Sequence, residues 1–405
     1  MDTEIEETSP ILEKAQREYR VWKKNAPYLY DYISTTSLLW PSLTVQFFPD
    51  IEQPTPETSY QRLILGTFTL GQSIDAILIL RVPMYTQLSS HLDNVDRLNY
   101  TDRHEFELNT VPKLKAHPLQ KINHLGDVNR VRYMPHNPDI IASLNNAGGL
   151  LVYDRTKHPN SNPKDEPNVP QLRLETASSA DIFGVDWNKQ KESELVAADV
   201  EGSLWIYDLR EQLKNKDQDL LSPLKLAKHS TGINDIEWSP THASIFAFVD
   251  ESGSLHINDT RQPVKDAKKG YAVKTFAVGE DKDALNSLSF GISNYIATGD
   301  QSGNLTVVDL RQGPISRWKS FQDSITQVRW HHNHANVLAA SSMDTNLKIF
   351  DLAKEEKEIF VHSGHMLGVN DFDWSLHDDW LMASVSDDNS LHTWKPVGME
   401  GYKSR

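Results

Sequence analysis

An all-β fold, a seven-bladed propeller of the WD-repeat type, is predicted by a repeated strand signature and by its spacing. The segments LLVYDR, LWIYDLR, LHINDTR, LTVVDLR, LKIFDL and LHTWKP recur along the chain. Their closing residues Asp154, Asp208, Asp259, Asp309, Asp351 and Lys395 lie 54, 51, 50, 42 and 44 residues apart. That spacing suits a four-stranded blade rather than a helical repeat.

The other strands of each blade follow in order. Upstream of the signatures stand VNRVRYMP, IFGVDWN, INDIEWSP, LNSLSFG, ITQVRWHH and VNDFDWSL, which alternate in the manner of half-buried strands. Small-residue strands such as ELVAADV, IFAFVD, YIATGD, VLAAS and WLMASVS come next, and turns such as Glu201-Gly202-Ser203 and Asp388-Asn389-Ser390 close the hairpins. RLILGTFT and DAILILRVP supply a seventh group. The last group ends after its third strand, so a strand at 43–48, within LTVQFFP, is expected to close the ring and remove its open edge. The expected organisation is an acidic tail at 1–8, a helical extension at 9–36, the propeller at 37–398 and a short tail at 399–405.

The last blade carries the fullest internal pattern. His365, Ser384, Asp388 and Trp394 are spaced as a buried hydrogen-bonded tetrad, Asp388 orienting His365 and the chain continuing to Ser384 and the Trp394 indole. The same Ser, His and Asp do not read as a nucleophilic triad, because they sit on a repeat element whose other copies lack members. No catalytic residue is predicted.

Composition narrows the class further. The chain has no cysteine, which excludes disulfides, thiolate metal sites and cysteine nucleophiles. No apolar run reaches membrane-spanning length, and MDTEIEE lacks a secretory pattern, so an intracellular protein without membrane contact is expected. A formal charge of −15 disfavours direct DNA binding and favours basic polypeptide partners. His331, His332 and His334 cluster on an inter-strand loop and are not expected to hold a metal, and no cofactor is predicted. Two insertions are expected, a Pro-rich one at 158–170 and an acidic one at about 84–112.

Ahead of the propeller, SPILEKAQREYRVWKKN has a cap at Ser9, Pro10 in the first turn, and Ile11, Ala15, Tyr19 and Trp22 at helical spacing. An amphipathic helix is expected, ended or kinked at Pro27. Tyr19, Trp22, Leu29 and Tyr30 are expected to dock it on the propeller.

Three stretches together resemble the histone-binding WD-repeat family of the retinoblastoma-binding and MSI type. They are YRVWKKNAPYLYDYISTTSLLWPSLTVQFFPD, INHLGDVNRVRYMPHNPDIIAS with YDRTKHP, and GHMLGVNDFDWSLHDDWLMASVSDDNSLHTWKPVG. Within the family, the wording is most similar to the fungal small subunit of chromatin assembly factor 1. The resemblance implies a non-enzymatic histone chaperone or scaffold subunit, nuclear and also cytoplasmic. It would join the larger subunits of that factor and bind histones H3 and H4 in replication-coupled nucleosome assembly. The alternative is a histone-targeting subunit of a type B histone acetyltransferase or another chromatin-modifying complex. It also implies two peptide sites. A groove for a histone H4 helix maps to Tyr28, Leu29 and Ile33, to Phe360 and Val361, and to Glu355, Glu356 and Glu358 in the shortened loop DLAKEEKEIF. A site for a basic tail on one face of the ring maps to Asp127, Asn129, Asp181, Phe183 and Asp235.

Overall fold

The computed structural model describes residues 10–56, 58–85, 116–146, 148–162, 164, 166–176, 179–214, 220–262, 272–279, 283–292, 294–399 and 402. The side chains of residues 10–15 are not among those described. The cap expected at Ser9, the acidic tail and the insertion beyond residue 85 lie outside the described residues, as do the side chains of Ile11 and Ala15.

Seven antiparallel sheets form the ring. Blade 1 consists of Val45–Thr55, Thr58–Gly66, Ala76–Tyr85 and His117–Asn123, from the channel outward. Blades 2 to 6 begin on the inner strands Val128–Met134, Ile182–Trp187, Ile233–Trp238, Leu285–Phe290 and Ile325–Trp330. Blade 7 contains Val369–Trp374, Met382–Ser386 and Ser390–Pro396.

Closure differs from the expected arrangement. The fourth strand of blade 7 is Tyr30–Ser37, in register as Ile33↔Trp394, Thr35↔His392 and Ser37↔Ser390. The strand expected at 43–48 instead begins blade 1, as the inner strand Val45–Thr55. The part of the extension expected to be helical beyond Leu29 is therefore strand. YDYISTTS alternates into a buried sheet, and burial on both sides outweighs the continuity of the preceding helix. Helix α1 spans Pro10–Leu29 and continues two residues past Pro27 rather than ending there. The docking of Ala26 and Leu29 holds its last turn in place.

Each blade's inner strand is an edge strand, and its outward amides need acceptors. At five of the seven junctions, inner-strand side chains of the preceding blade accept them. Asp371 and Asp373 of blade 7 receive Val45 N and Phe47 N of blade 1 at 2.9 and 2.8 Å, which seals the ring. Asp186 receives Trp238 N, Asp235 and Glu237 receive Leu288 N and Phe290 N, and Ser287 and Ser289 receive Val328 N and Trp330 N.

Blades 2 and 6 carry arginine in those positions, and there the next blade's tryptophan indole bonds a backbone carbonyl, Trp187 on Arg132 O and Trp374 on Arg329 O. The arginines reach across the channel instead. Arg132 pairs with Asp371 at 3.1 Å, Arg329 with Asp371 and Asp373, and Arg130 with Asp235. Buried charges are tolerated there because each has an opposite partner.

Apolar packing follows the same ring. Each of seven buried clusters joins two neighbouring blades, for example Trp187, Leu195 and Tyr207 of blade 3 with Leu144 and Val152 of blade 2. The cluster between blades 6 and 7 also takes in Trp22, Ala26 and Tyr30. The Pro-rich insertion is tied back to blade 1, since Asn123 Nδ2 donates to Lys164 O and Glu166 O.

Glycine allows the closest inter-blade contact. A Cβ on Gly299 in blade 5 would lie 2.3 Å from Ile325 Cγ2 of blade 6. Gly299→Ala is expected to lower stability by about 1–3 kcal/mol through overpacking, measured as a reduced urea midpoint with an unchanged denaturant slope.

Candidate functional site

Helix α1 lies across the junction of blades 6 and 7. Its inner face docks through Trp22 and Ala26, with Tyr19 and Leu29 packed at the margin, as the sequence implied. The outer face leaves Val21 57% and Tyr28 72% exposed.

A string of polar atoms beneath the helix fixes its position. Trp22 Nε1 donates to Tyr30 Oη at 2.8 Å, and the Tyr30 hydroxyl lies 2.7 Å from His362 Nδ1. With Tyr30 donating, His362 carries its proton on Nε2, 3.1 Å from His392 Nδ1. Four side chains from the helix, the closing strand and two blades are thereby linked. Burial holds His362 and His392 well below the ordinary histidine value of 6.5, so both are neutral in the folded chain.

The expected tetrad lies beside this string. His365 Nε2 is 2.8 Å from Ser384 Oγ, and Trp394 Nε1 donates to the same oxygen at 3.3 Å. Asp388 engages His365 through Ser390: the Ser390 hydroxyl donates to Asp388 and lies 2.9 Å from His365 Nδ1, while the carboxylate itself is 3.6 Å away. Asp388 also accepts Met366 N. Although burial opposes its charge, these partners hold its carboxyl well below the usual carboxylate range. The four residues are enclosed and have no access to substrate, which suits a structural role.

Between α1 and the outer strand of blade 6, Glu358–His362, runs a groove of about 510 Å3. Leu29 and Val361 line it, together with Arg17, Val21, Asn25, Thr345 and Asn346, which sequence reasoning had not singled out. Thr345 has φ +76°, where blades 3 to 5 place glycine in the equivalent turn, so a β-branched residue is held in a strained conformation at the rim.

The other residues implied for this site are placed differently. Ile33 is buried in the closing strand, and Phe360 packs on Tyr30 and Trp394. Tyr28 is exposed on the outside of the helix. Glu355 and Glu356 are exposed on the turn before the outer strand, and Glu358 pairs with Lys348 at 2.8 Å.

The residues implied for the ring face are mostly committed to the fold. Asp127 is buried and accepts Thr69 N, Leu70 N and Asn146 Nδ2. Asn129 donates to Ile182 O at the start of the next inner strand, as Asn234 does to Leu285 O, Asn286 to Ile325 O and Asn370 to Ser42 O. The recurrence of VN, IN and LN was the signal for this inter-blade bond. Asp235 is a channel residue paired with Arg130. Asp181 and Phe183 are half-buried, and Phe183 occupies the place that asparagine holds in other blades. Within the other histidine cluster, His331 Nδ1 accepts Asn333 N and His334 N, a role that shapes the loop.

Fold and site define a propeller scaffold with a helix-bordered groove for an apolar-faced segment. Comparison with known proteins narrows this class. The family described as that of the histone-binding protein RBBP4, or the C-type component of the CAF1 complex, matches residues 17–86, which hold most of α1, the closing strand and most of blade 1. A propeller family described as "Nucleolar protein 10-like, N-terminal domain" matches residues 219–394. The chain is 33% identical to "Histone-binding protein MSI1" of Saccharomyces cerevisiae, over 97% of this chain and 96% of that protein. It is 27% identical to "Histone acetyltransferase type B subunit 2" of Debaryomyces hansenii, over 94% and 90%. The chain belongs to the RBBP4-type family of histone-binding WD-repeat proteins.

The neutral histidines make stability depend on pH. Because the folded values of His362 and His392 are depressed, the unfolded chain binds more protons below pH 6.5, and stability falls as pH drops through that value. Each fully neutral histidine contributes a loss of about 1.4 kcal/mol per pH unit below 6.5. His124, held at about 4 by burial, adds to this slope. Asp186, raised to about 6 chiefly by burial, opposes it. Urea midpoints are expected to fall between pH 7 and pH 5, and His362→Gln to flatten that dependence.

Proposed function

We propose that the chain is a non-catalytic histone chaperone and scaffold subunit of chromatin assembly factor 1, acting in the nucleus with the factor's larger subunits to deposit histones H3 and H4 on DNA. The groove between α1 and blade 6 carries this reading. It offers apolar anchors at Val21, Leu29 and Val361 with charged and amide groups beside them, the arrangement by which grooves hold amphipathic helices. Histone H4 is the proposed source of that helix. The −15 formal charge supports recruitment of basic histones in preference to DNA. Asp181 and Phe183 are the positions proposed to meet a basic tail on the ring face.

Val21→Glu places a charge on an exposed groove wall without entering the core. It is expected to weaken binding of an H3/H4 complex at least tenfold, about 1.4 kcal/mol, with an unchanged unfolding midpoint. Unchanged affinity would remove the groove from the reading. Affinity purification of the tagged chain from nuclear extract is expected to recover the large assembly-factor subunits in stoichiometric amounts. An acetyltransferase catalytic subunit in their place would assign the chain to the type B enzyme, as the name of the Debaryomyces hansenii relative suggests.

A further inference from the structure

Blade 4 holds a second polar cluster that the proposed function does not use. His229 lies on the connection from blade 3, Asp250 ends the strand Ile245–Asp250, and His256 lies in Ser254–Asp259. His256 Nε2 is 3.0 Å and His229 Nδ1 3.8 Å from the same carboxylate oxygen, Asp250 Oδ2. The Thr231 hydroxyl donates to that oxygen at 2.8 Å and lies 3.0 Å from His229 Nδ1. The other carboxylate oxygen is occupied by Ser252 N, Ser254 N and Ser252 Oγ, which fixes Oδ2 toward the imidazoles.

Comparison with blade 7 shows that this cluster is not a copy of the tetrad. By strand register, His256 stands where blade 7 has His392, Phe248 replaces Ser384, Asn258 replaces Trp394, and Asp250 replaces Ser386. The serine and tryptophan that satisfy a tetrad histidine are gone, and a carboxylate has been added between two histidines. Asp250 is fully buried, and among the described residues its ionic partners are these histidines, with no lysine or arginine. A buried carboxylate without a permanent cation is costly.

We propose that His229, Asp250 and His256 form a binding site for a divalent transition-metal ion, with Zn2+ the best-fitting ion. Two imidazoles and one carboxylate suit Zn2+, and bonds of about 2.0–2.1 Å to a tetrahedral ion place ligand atoms roughly 3.3 Å apart. The separations of 3.0 and 3.8 Å bracket that value, and the three ligand atoms all lie within 4.8 Å of one another. His256 Nδ1 lies 3.0 Å from Thr275 Oγ1, an outer partner able to take the Nδ1 proton and leave Nε2 free to ligate. Phe248 stacks on His256 and closes the apolar side, while the His229 side chain, 11% exposed, leaves a path from solvent. The fourth position falls to water or the Thr231 hydroxyl. Such an ion would pin the blade 3 to blade 4 connection onto the sheet.

The test uses the full chain stripped with a chelator and titrated with Co2+. One equivalent is expected to bind with the visible bands of a tetrahedral site, and His229→Gln, at the partly exposed ligand, is expected to reduce affinity at least tenfold. Zn2+ is expected to raise the unfolding temperature of the unsubstituted chain and not that of His229→Gln. His392→Gln, in the blade 7 cluster, is expected to retain the bands. Absence of bands, bands that survive His229→Gln, or bands lost only in His392→Gln would each overturn the assignment.

Discussion

Satisfaction of the inner-strand amides is the constraint on which the rest of the structure depends. A propeller blade has an inner edge facing the channel, and backbone groups left unpaired there would carry a desolvation penalty at every blade. This chain meets the requirement with side chains from the preceding blade, so each blade is hydrogen-bonded to its neighbour before apolar packing is counted. Where arginine takes the acceptor position, its charge is returned to the ring through carboxylates across the channel. The ring is therefore an ionic and hydrogen-bonded hoop, and substitutions on it act on distant blades.

The seam between the two chain ends is where this scaffold gains a feature beyond the repeat. Closing blade 7 with Tyr30–Ser37 brings the preceding helix against the junction of blades 6 and 7. Trp22, Tyr30, His362 and His392 then join helix, closing strand and two blades through one buried string. The groove exists because the helix is held at that distance from the outer strand of blade 6. Closure of the fold and construction of the site are thus one event.

Divergence among repeats follows a common logic. Blade 7 retains the full tetrad, so its histidine is internally satisfied. Blade 4 has lost the serine and tryptophan partners, and its histidines converge on a carboxylate. A repeat position freed from its structural partners can acquire new chemistry without disturbing the hoop, because the amide acceptors lie on a different strand.

The strand signatures, their period and the alternation of each inner strand determined the all-β ring and its seven blades, since burial on a pleated surface imposes those patterns locally. The tetrad of His365, Ser384, Asp388 and Trp394 and the docking residues Trp22 and Tyr30 were legible for the same reason. Tertiary structure alone decided which N-terminal strand closes the ring, because Tyr30–Ser37 and Val45–Thr55 have similar composition and only the register with Ser390–Pro396 separates them. It also decided that Asp127, Asn129 and Asp235 are consumed by the fold and that Val21, Thr345 and Asn346 border the groove. A polar residue at a strand start reads alike whether it meets solvent or a neighbouring amide, and the neighbour is fixed only when blades distant in sequence come together.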